Sequence, residues 1–312
     1  MEIGKDSNEV SKETHKEIQK EIILSVKNVS KHYYGSQVLD NISFDLKKGV
    51  FCCLLGENGA GKSTLLNILM GQECLDHGEG EIMGVSLRHD LAMVKNSIGL
   101  VSEKISYDVS VLVGKFFEQY SKLFECWDQS LFLSLMKERK LDLTRSFGDY
   151  SRGQRMQTAL IAALAIRPKL LLIDEVTSVL DIWARKFFIE IMKKFTREGG
   201  TVLITTNIIS EIQYAVDQII LINKGVIQLQ ENISEIPSKF IKIRSVANIE
   251  LPIFKDPSCF WSGENSDGSH SYIVPISVAQ QYSIPDKIRD RRAVTLDELF
   301  IYFIKTGEKN IA

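Results

Sequence analysis

Residues 56–64 read GENGAGKST, with Gly56, Gly61, Lys62 and Ser63 spaced as G-x-x-x-x-G-K-[ST]. That spacing serves polyphosphate binding: glycines let backbone N–H groups wrap a phosphate, an ammonium reaches the outer phosphates, and a hydroxyl can ligate Mg²⁺. Glu57, Asn58, Gly59, Ala60 and Thr64 complete the loop. The apolar run VFCCLLG before it reads as a strand buried on both faces, and TLLNILMG after it reads as a helix whose N-terminus would face the phosphates. A chance glycine-rich turn seldom has both neighbours.

A second group of residues lies further along. LLLIDE ends an apolar strand on two carboxylates, Asp174 and Glu175, one suited to a metal's surroundings and the next to an attacking water. Paired acids after a strand also arise as helix caps, but the order and distance from the glycine loop weaken that explanation. YSRGQR, residues 150–155, sets Ser151, Gly153 and Gln154 at a predicted helix N-terminus, which can hold a phosphate or simply cap the helix. A further buried strand, VLITT, runs straight into Asn207.

Strands and helices must carry these residues. ILSVKNVSKHYYGSQVLDNISFDLKKG alternates apolar and polar residues around a Tyr-Gly break, the pattern of an antiparallel β-layer. KLLLID and GTVLITT, separated by the helical WARKFFIEIMKKF, alternate as in a parallel sheet. Residues 104–150 read as helical, with Phe116, Phe117, Tyr120, Leu123 and Phe124 as a core stripe. After Gly225 come short strands, a loop over residues 262–270 rich in Gly, Ser and Asn, and a last helix opened by a Thr295/Glu298 capping box and stopped at Gly307. Residues 1–21 read as a charged, frayed tail.

Composition sets the class. The chain has 312 residues, 44% hydrophobic and 25% charged, enough for one large domain with an appendage. Its 38 basic and 40 acidic residues balance, which argues against nucleic acid as a partner and makes any phosphate recognition local. No apolar run approaches the roughly 20 residues of a membrane helix, and the N-terminus lacks the apolar segment of a signal peptide. Five cysteines without CxxC spacing read as reduced thiols filling core gaps.

The order of GENGAGKST, YSRGQR and LLLIDE resembles the ATP-binding subunits of ABC transporters, over residues 22 to about 230. The resemblance implies an α/β fold: a P-loop NTPase core with a mostly parallel sheet, an antiparallel β-layer and a helical subdomain at about 104–150. A small C-terminal α+β appendage would occupy 232–312, leaving 22–231 as the ATPase domain. It implies ATP and Mg²⁺ as cofactors, with Ser63, Glu103 and Asp174 around the metal. Tyr34, just before Gly35, takes the place of the family's adenine-stacking aromatic, with Tyr33 the second choice. Glu175 would polarise water, and Ser151, Gly153 and Gln154 would serve the ATP of a partner subunit in a head-to-tail homodimer or heterodimer. Residues 178–181, SVLD, resemble the loop that signals between two such subunits.

Three positions depart from the family pattern. Glu103 stands for the usual glutamine, Val176 for a frequent proline, and Asn207 for the histidine that touches the γ-phosphate and orients water. No histidine lies between His89 and His270, so no neighbour can take that role. Asn can hydrogen-bond a phosphate oxygen but cannot carry positive charge, which implies slower hydrolysis. The expected function is an exporter subunit on the cytoplasmic face of the membrane, contacting separately encoded membrane subunits through the helical region. The alternative is an ATP-dependent switch that hydrolyses slowly or not at all. A translation-factor or DNA-repair ATPase is disfavoured, because one P-loop is present and no zinc spacing.

Overall fold

The computed structural model describes residues 22–88, 91–176, 180–245, 252–264, 268–282, 289–290 and 294–309. The N-terminal tail lies outside the described residues. Strands β1 (Ile22–Tyr33) and β2 (Ser36–Lys47) form an antiparallel hairpin. Its two turn residues, Tyr34 and Gly35, have φ of 49° and 84°, the left-handed pair that matches the twist of a two-residue hairpin. With β4 (His77–Ile82) and β5 (Val85–Ser86), which follow β3 (Phe51–Leu55), the hairpin builds a four-stranded layer in the order β2-β1-β4-β5.

The main sheet also uses β6 (Ile98–Ser102), β7 (Leu170–Asp174), β8 (Thr201–Thr206), β9 (Gln218–Asn223) and β10 (Val226–Asn232). Its order is β10-β9-β3-β8-β7-β6, parallel throughout except for the antiparallel β10 edge. Alternate residues of each buried strand feed opposite cores, as the pleat requires. Phe51, Cys53 and Leu55 of β3, with Leu171, Ile173, Val202 and Ile204, pack on the helices Arg152–Ala165 and Ile182–Arg197. Cys52, Leu54, Leu170, Leu172 and Leu203 face the antiparallel layer and the helix Lys62–Leu69. This double covering explains why the strands read as continuous apolar runs.

The helical region contains Val113–Tyr120 and Gln129–Glu138, with one 3₁₀ turn, Ser121–Leu123, between them and another, Phe147–Asp149, after them. Phe117, Phe132 and Phe147 are buried there, but Leu123 is 70% exposed. The helix ends at Tyr120, and the tighter turn that follows rotates Leu123 off the apolar stripe. Cys52, Cys53 and Cys259 are buried as expected, whereas Cys74 and Cys126 are exposed and fill no core gap.

Beyond β10, strands β11 (Phe240–Ser245), β12 (Phe260–Glu264), β13 (His270–Pro275) and β14 (Arg289–Asp290) make a third sheet in the order β12-β13-β11-β14. β12 takes the first residues of the segment read as a loop, of which 265–267 lie outside the described residues. The final helix, Leu296–Lys309, passes through Gly307 instead of stopping there. A glycine ends a helix by turning left-handed, and Gly307 does not. The helix returns to the main core through Leu296, Leu299 and Tyr302.

The predicted capping box forms. The Thr295 N–H donates to Glu298 Oε2 at 2.9 Å, and the Glu298 N–H to Thr295 Oγ1 at 3.2 Å. Glu298 also pairs with Lys242 of β11, whose side chain is 9% exposed. Burial pushes the Glu298 carboxyl up, but the bonds from Lys242 and Thr295 outweigh it and hold it below the usual 4.5. A depressed carboxylate adds stability in full above its unfolded value and loses it as pH falls through the folded one. Acid is therefore expected to loosen this helix. In denaturant titrations followed by circular dichroism, Glu298→Gln should be less stable at neutral pH and lose less stability than the native chain below about pH 4.5.

Candidate functional site

The register of the parallel sheet assembles the site. Leu55 of β3 pairs with Thr206 of β8, Asp174 of β7 with Thr205, and Ser102 of β6 with Asp174. Gly56, Glu103, Glu175 and Asn207 are each the residue after one of these strand ends. All four therefore share the carboxyl edge, where open α/β sheets bind ligands. The loop 56–61 leaves β3 there and enters the helix Lys62–Leu69.

Glycine is required at two loop positions. A Cβ on Gly56 would lie 2.5 Å from the Ile222 carbonyl oxygen, and Gly61 has φ 103° with Leu39 2.7 Å from where its Cβ would be. Lys62 is 3% exposed. Its ammonium donates to the Gly56 and Glu57 carbonyls, both at 2.9 Å, and pairs with Glu175 Oε1 at 3.0 Å. A buried charge needs such partners. Glu175 has φ 51°, a conformation strained for a side chain that large. Its N–H is held by the carbonyl and the hydroxyl of Thr205, at 3.2 and 3.1 Å.

Asp174 is 4% exposed and ringed by donors. Ser63 Oγ lies 3.2 and 3.3 Å from its two oxygens, Thr205 Oγ1 donates at 2.8 Å, and Lys104 Nζ sits 3.1 Å from Oδ2. A hydroxyl and a carboxylate converging beside an existing cation are a hard-oxygen donor set that fits Mg²⁺. Among the described residues no group of three or more His, Cys, Asp or Glu side chains could cage a metal alone.

Asn207 Nδ2 donates to Asn58 Oδ1 at 3.3 Å, which places it over the glycine loop. Glu103 does not join Ser63 and Asp174; its carboxylate pairs with Arg152. Ser151 and Gln154 close a capping box on each other, Gln154 N–H to Ser151 Oγ at 3.2 Å and Ser151 N–H to Gln154 Oε1 at 2.9 Å. Their side chains thus bond to each other, with Gly153 in the first turn of the same helix. Residues 177–179, including Ser178 of the segment expected to signal between subunits, lie outside the described residues; Asp181 caps the helix Ile182–Arg197 through the Ala184 N–H at 2.7 Å.

The hairpin separates the two tyrosines. Tyr34 is fully exposed at the turn, whereas Tyr33 is partly buried. Burial raises the Tyr33 phenol, which also interacts with the side chains of Glu73 and Thr64. Tyr33 therefore stands beside the glycine loop's helix. Counting from Gly35 puts Tyr34 first and Tyr33 second; the period of two along β1 sets the two on opposite faces. Sequence reasoning also missed Thr205 and Lys104. Thr205 is buried opposite Asp174, a position readable only from the sheet register. Lys104 was one residue beyond the singled-out Glu103.

The ABC transporter family profile matches residues 39–178. An ABC transporter ATP-binding protein of Bacillus subtilis, YhcH, is 30% identical over 232 residues, covering 71% of this chain and 75% of that protein. The zinc uptake system ATP-binding protein ZurA of Listeria innocua is 32% identical over 218 residues, covering 66% and 84%. The Nod factor export ATP-binding protein I of Rhizobium meliloti is 30% identical over 211 residues, covering 65% and 62%. In structure, the ATP-binding subunit of an ABC transporter superposes with a TM-score of 0.64 at 22% identity, covering 69% of this chain and 92% of that one. A dimeric ATP-binding cassette bound to ADP and Pi gives 0.62 at 24% identity, covering 67% and 98%. With the fold, the glycine loop and the acidic strand end agreeing, the chain belongs to the ATP-binding proteins of ABC transporters.

Proposed function

We propose that this chain binds and hydrolyses Mg-ATP to drive a membrane exporter. The carrying observation is the convergence of Lys62, Ser63, Asp174, Glu175 and Asn207 on one sheet edge. In this reading the backbone of residues 56–61 cradles the phosphates and Lys62 exchanges its internal partners for their oxygens. Ser63 and Asp174 hold Mg²⁺, which when bound neutralises phosphate charge. Glu175 accepts a proton from the attacking water, its strained backbone fixing the direction of the carboxylate. Asn207 steadies the outer phosphate by a neutral hydrogen bond. Tyr33 stacks on the adenine in place of Tyr34.

Ser151, Gly153 and Gln154 then serve a second subunit's nucleotide, and Glu103 with the helical region meets the membrane partner. Residues 22–231 form the ATPase unit and 232–312 an accessory one. Export from the cytoplasmic face is the direction supported by the likeness to Nod factor export proteins. No helix among the described residues is long and apolar enough to cross a membrane; in this reading, membrane subunits carry the pathway. Light scattering on Glu175→Gln should show a doubling of mass with Mg-ATP and none with Mg-ADP. A mass that stays monomeric with both would reject head-to-tail assembly.

A second reading, an ATP-gated switch with little turnover, is favoured by Asn207 alone. Dimerisation on Mg-ATP by the native chain, persisting for hours without phosphate release, would select it.

A further inference from the structure

Lys104 is the site's unexplained cation. Its side chain is 65% exposed, yet its ammonium reaches 3.1 Å from Oδ2 of Asp174, a carboxylate side chain that is 5% exposed. Ser63 Oγ lies 3.2 Å from the same oxygen, so the ammonium stands at the donor pair that fits Mg²⁺. Lys62 is already engaged by Gly56, Glu57 and Glu175, which leaves Lys104 as the cation on Asp174. A long, flexible side chain anchored just past the end of β6 can hold this position or swing into solvent.

The geometry points to Lys104 as a built-in stand-in for Mg²⁺: it neutralises Asp174 before nucleotide arrives and must leave when the metal binds. This rests on the reading of Ser63 and Asp174 as the metal site. Two consequences follow from one charge on one carboxylate. Without Mg²⁺, Lys104 supplies positive charge beside the phosphates and supports nucleotide binding. With Mg²⁺, it must be displaced, so part of the metal's gain is lost. Lysine and metal are thus mutually exclusive, and the metal's enhancement of binding measures their coupling.

The test is the affinity for a non-hydrolysable ATP analogue, with Mg²⁺ and with EDTA, in the native chain, Lys104→Met and Lys104→Arg. The ratio of the dissociation constant in EDTA to that in Mg²⁺ is expected to rise about tenfold in Lys104→Met, roughly 1.4 kcal/mol of coupling. Lys104→Arg should keep the native ratio. Equal ratios in the native chain and Lys104→Met would overturn the proposal while leaving the nucleotide site standing. So would Lys104→Arg behaving like Lys104→Met, since charge would not then be the agent. Failure of all three proteins to bind the analogue would remove the site reading and this proposal together.

Discussion

Lys62→Met is expected to raise the dissociation constant for Mg-ATP by about 100-fold or more. The ammonium is 3% exposed and has three partners at 2.9 to 3.0 Å, so its position is fixed before ligand binds. A preset cation loses little entropy on meeting phosphate, and each charge-assisted hydrogen bond it makes contributes about 1.5–3 kcal/mol. Two such bonds to the outer phosphates account for the factor. Methionine fills similar volume, and the Glu175 side chain is already 37% exposed. The variant should therefore melt near the native temperature, separating lost binding from lost folding. Titration with a fluorescent ATP analogue measures the effect; a change under about threefold would mean that Lys62 does not touch the phosphates.

The second large effect runs the other way. Asn207 lies over the loop, 3.3 Å from Asn58, but its carboxamide cannot carry charge. Asn207→His places a longer side chain there, one that can be an imidazolium facing the phosphate where negative charge develops. A preorganised contact of that kind lowers a barrier by about 2.7 to 4 kcal/mol, a roughly 100- to 1000-fold gain in turnover. Steady-state phosphate release checks it. A gain below about twofold would show that Asn207 already supplies all the positioning that this place in the site offers.

The sheet was legible because each buried strand is an uninterrupted apolar run, and the glycine loop because its spacing has few other uses. The same pattern concealed what register decides. Thr205 reads as one more strand residue until β8 is laid beside β7, where its hydroxyl meets Asp174. Tyr33 and Tyr34 differ by one position, and a hairpin turn sends them to opposite surroundings. Glu103 falls at the strand end where family likeness placed it, and its carboxylate pairs with Arg152, a contact no linear motif encodes. The last helix outran its glycine because packing of Leu299 and Tyr302 on the core overrides a weak local stop.

Phosphate release from Mg-ATP by the native chain and by Glu175→Gln bears most directly on the claim that this edge of the sheet hydrolyses ATP. Glu175 pairs with Lys62 and is held in a strained backbone beside the glycine loop, where the proposed mechanism deprotonates water. The amide keeps the shape and removes the base, so release by the native chain should fall by at least about 100-fold in the variant while nucleotide binding persists. The same rate in both proteins would contradict the account, because the chemistry would then not depend on the carboxylate that the fold places there.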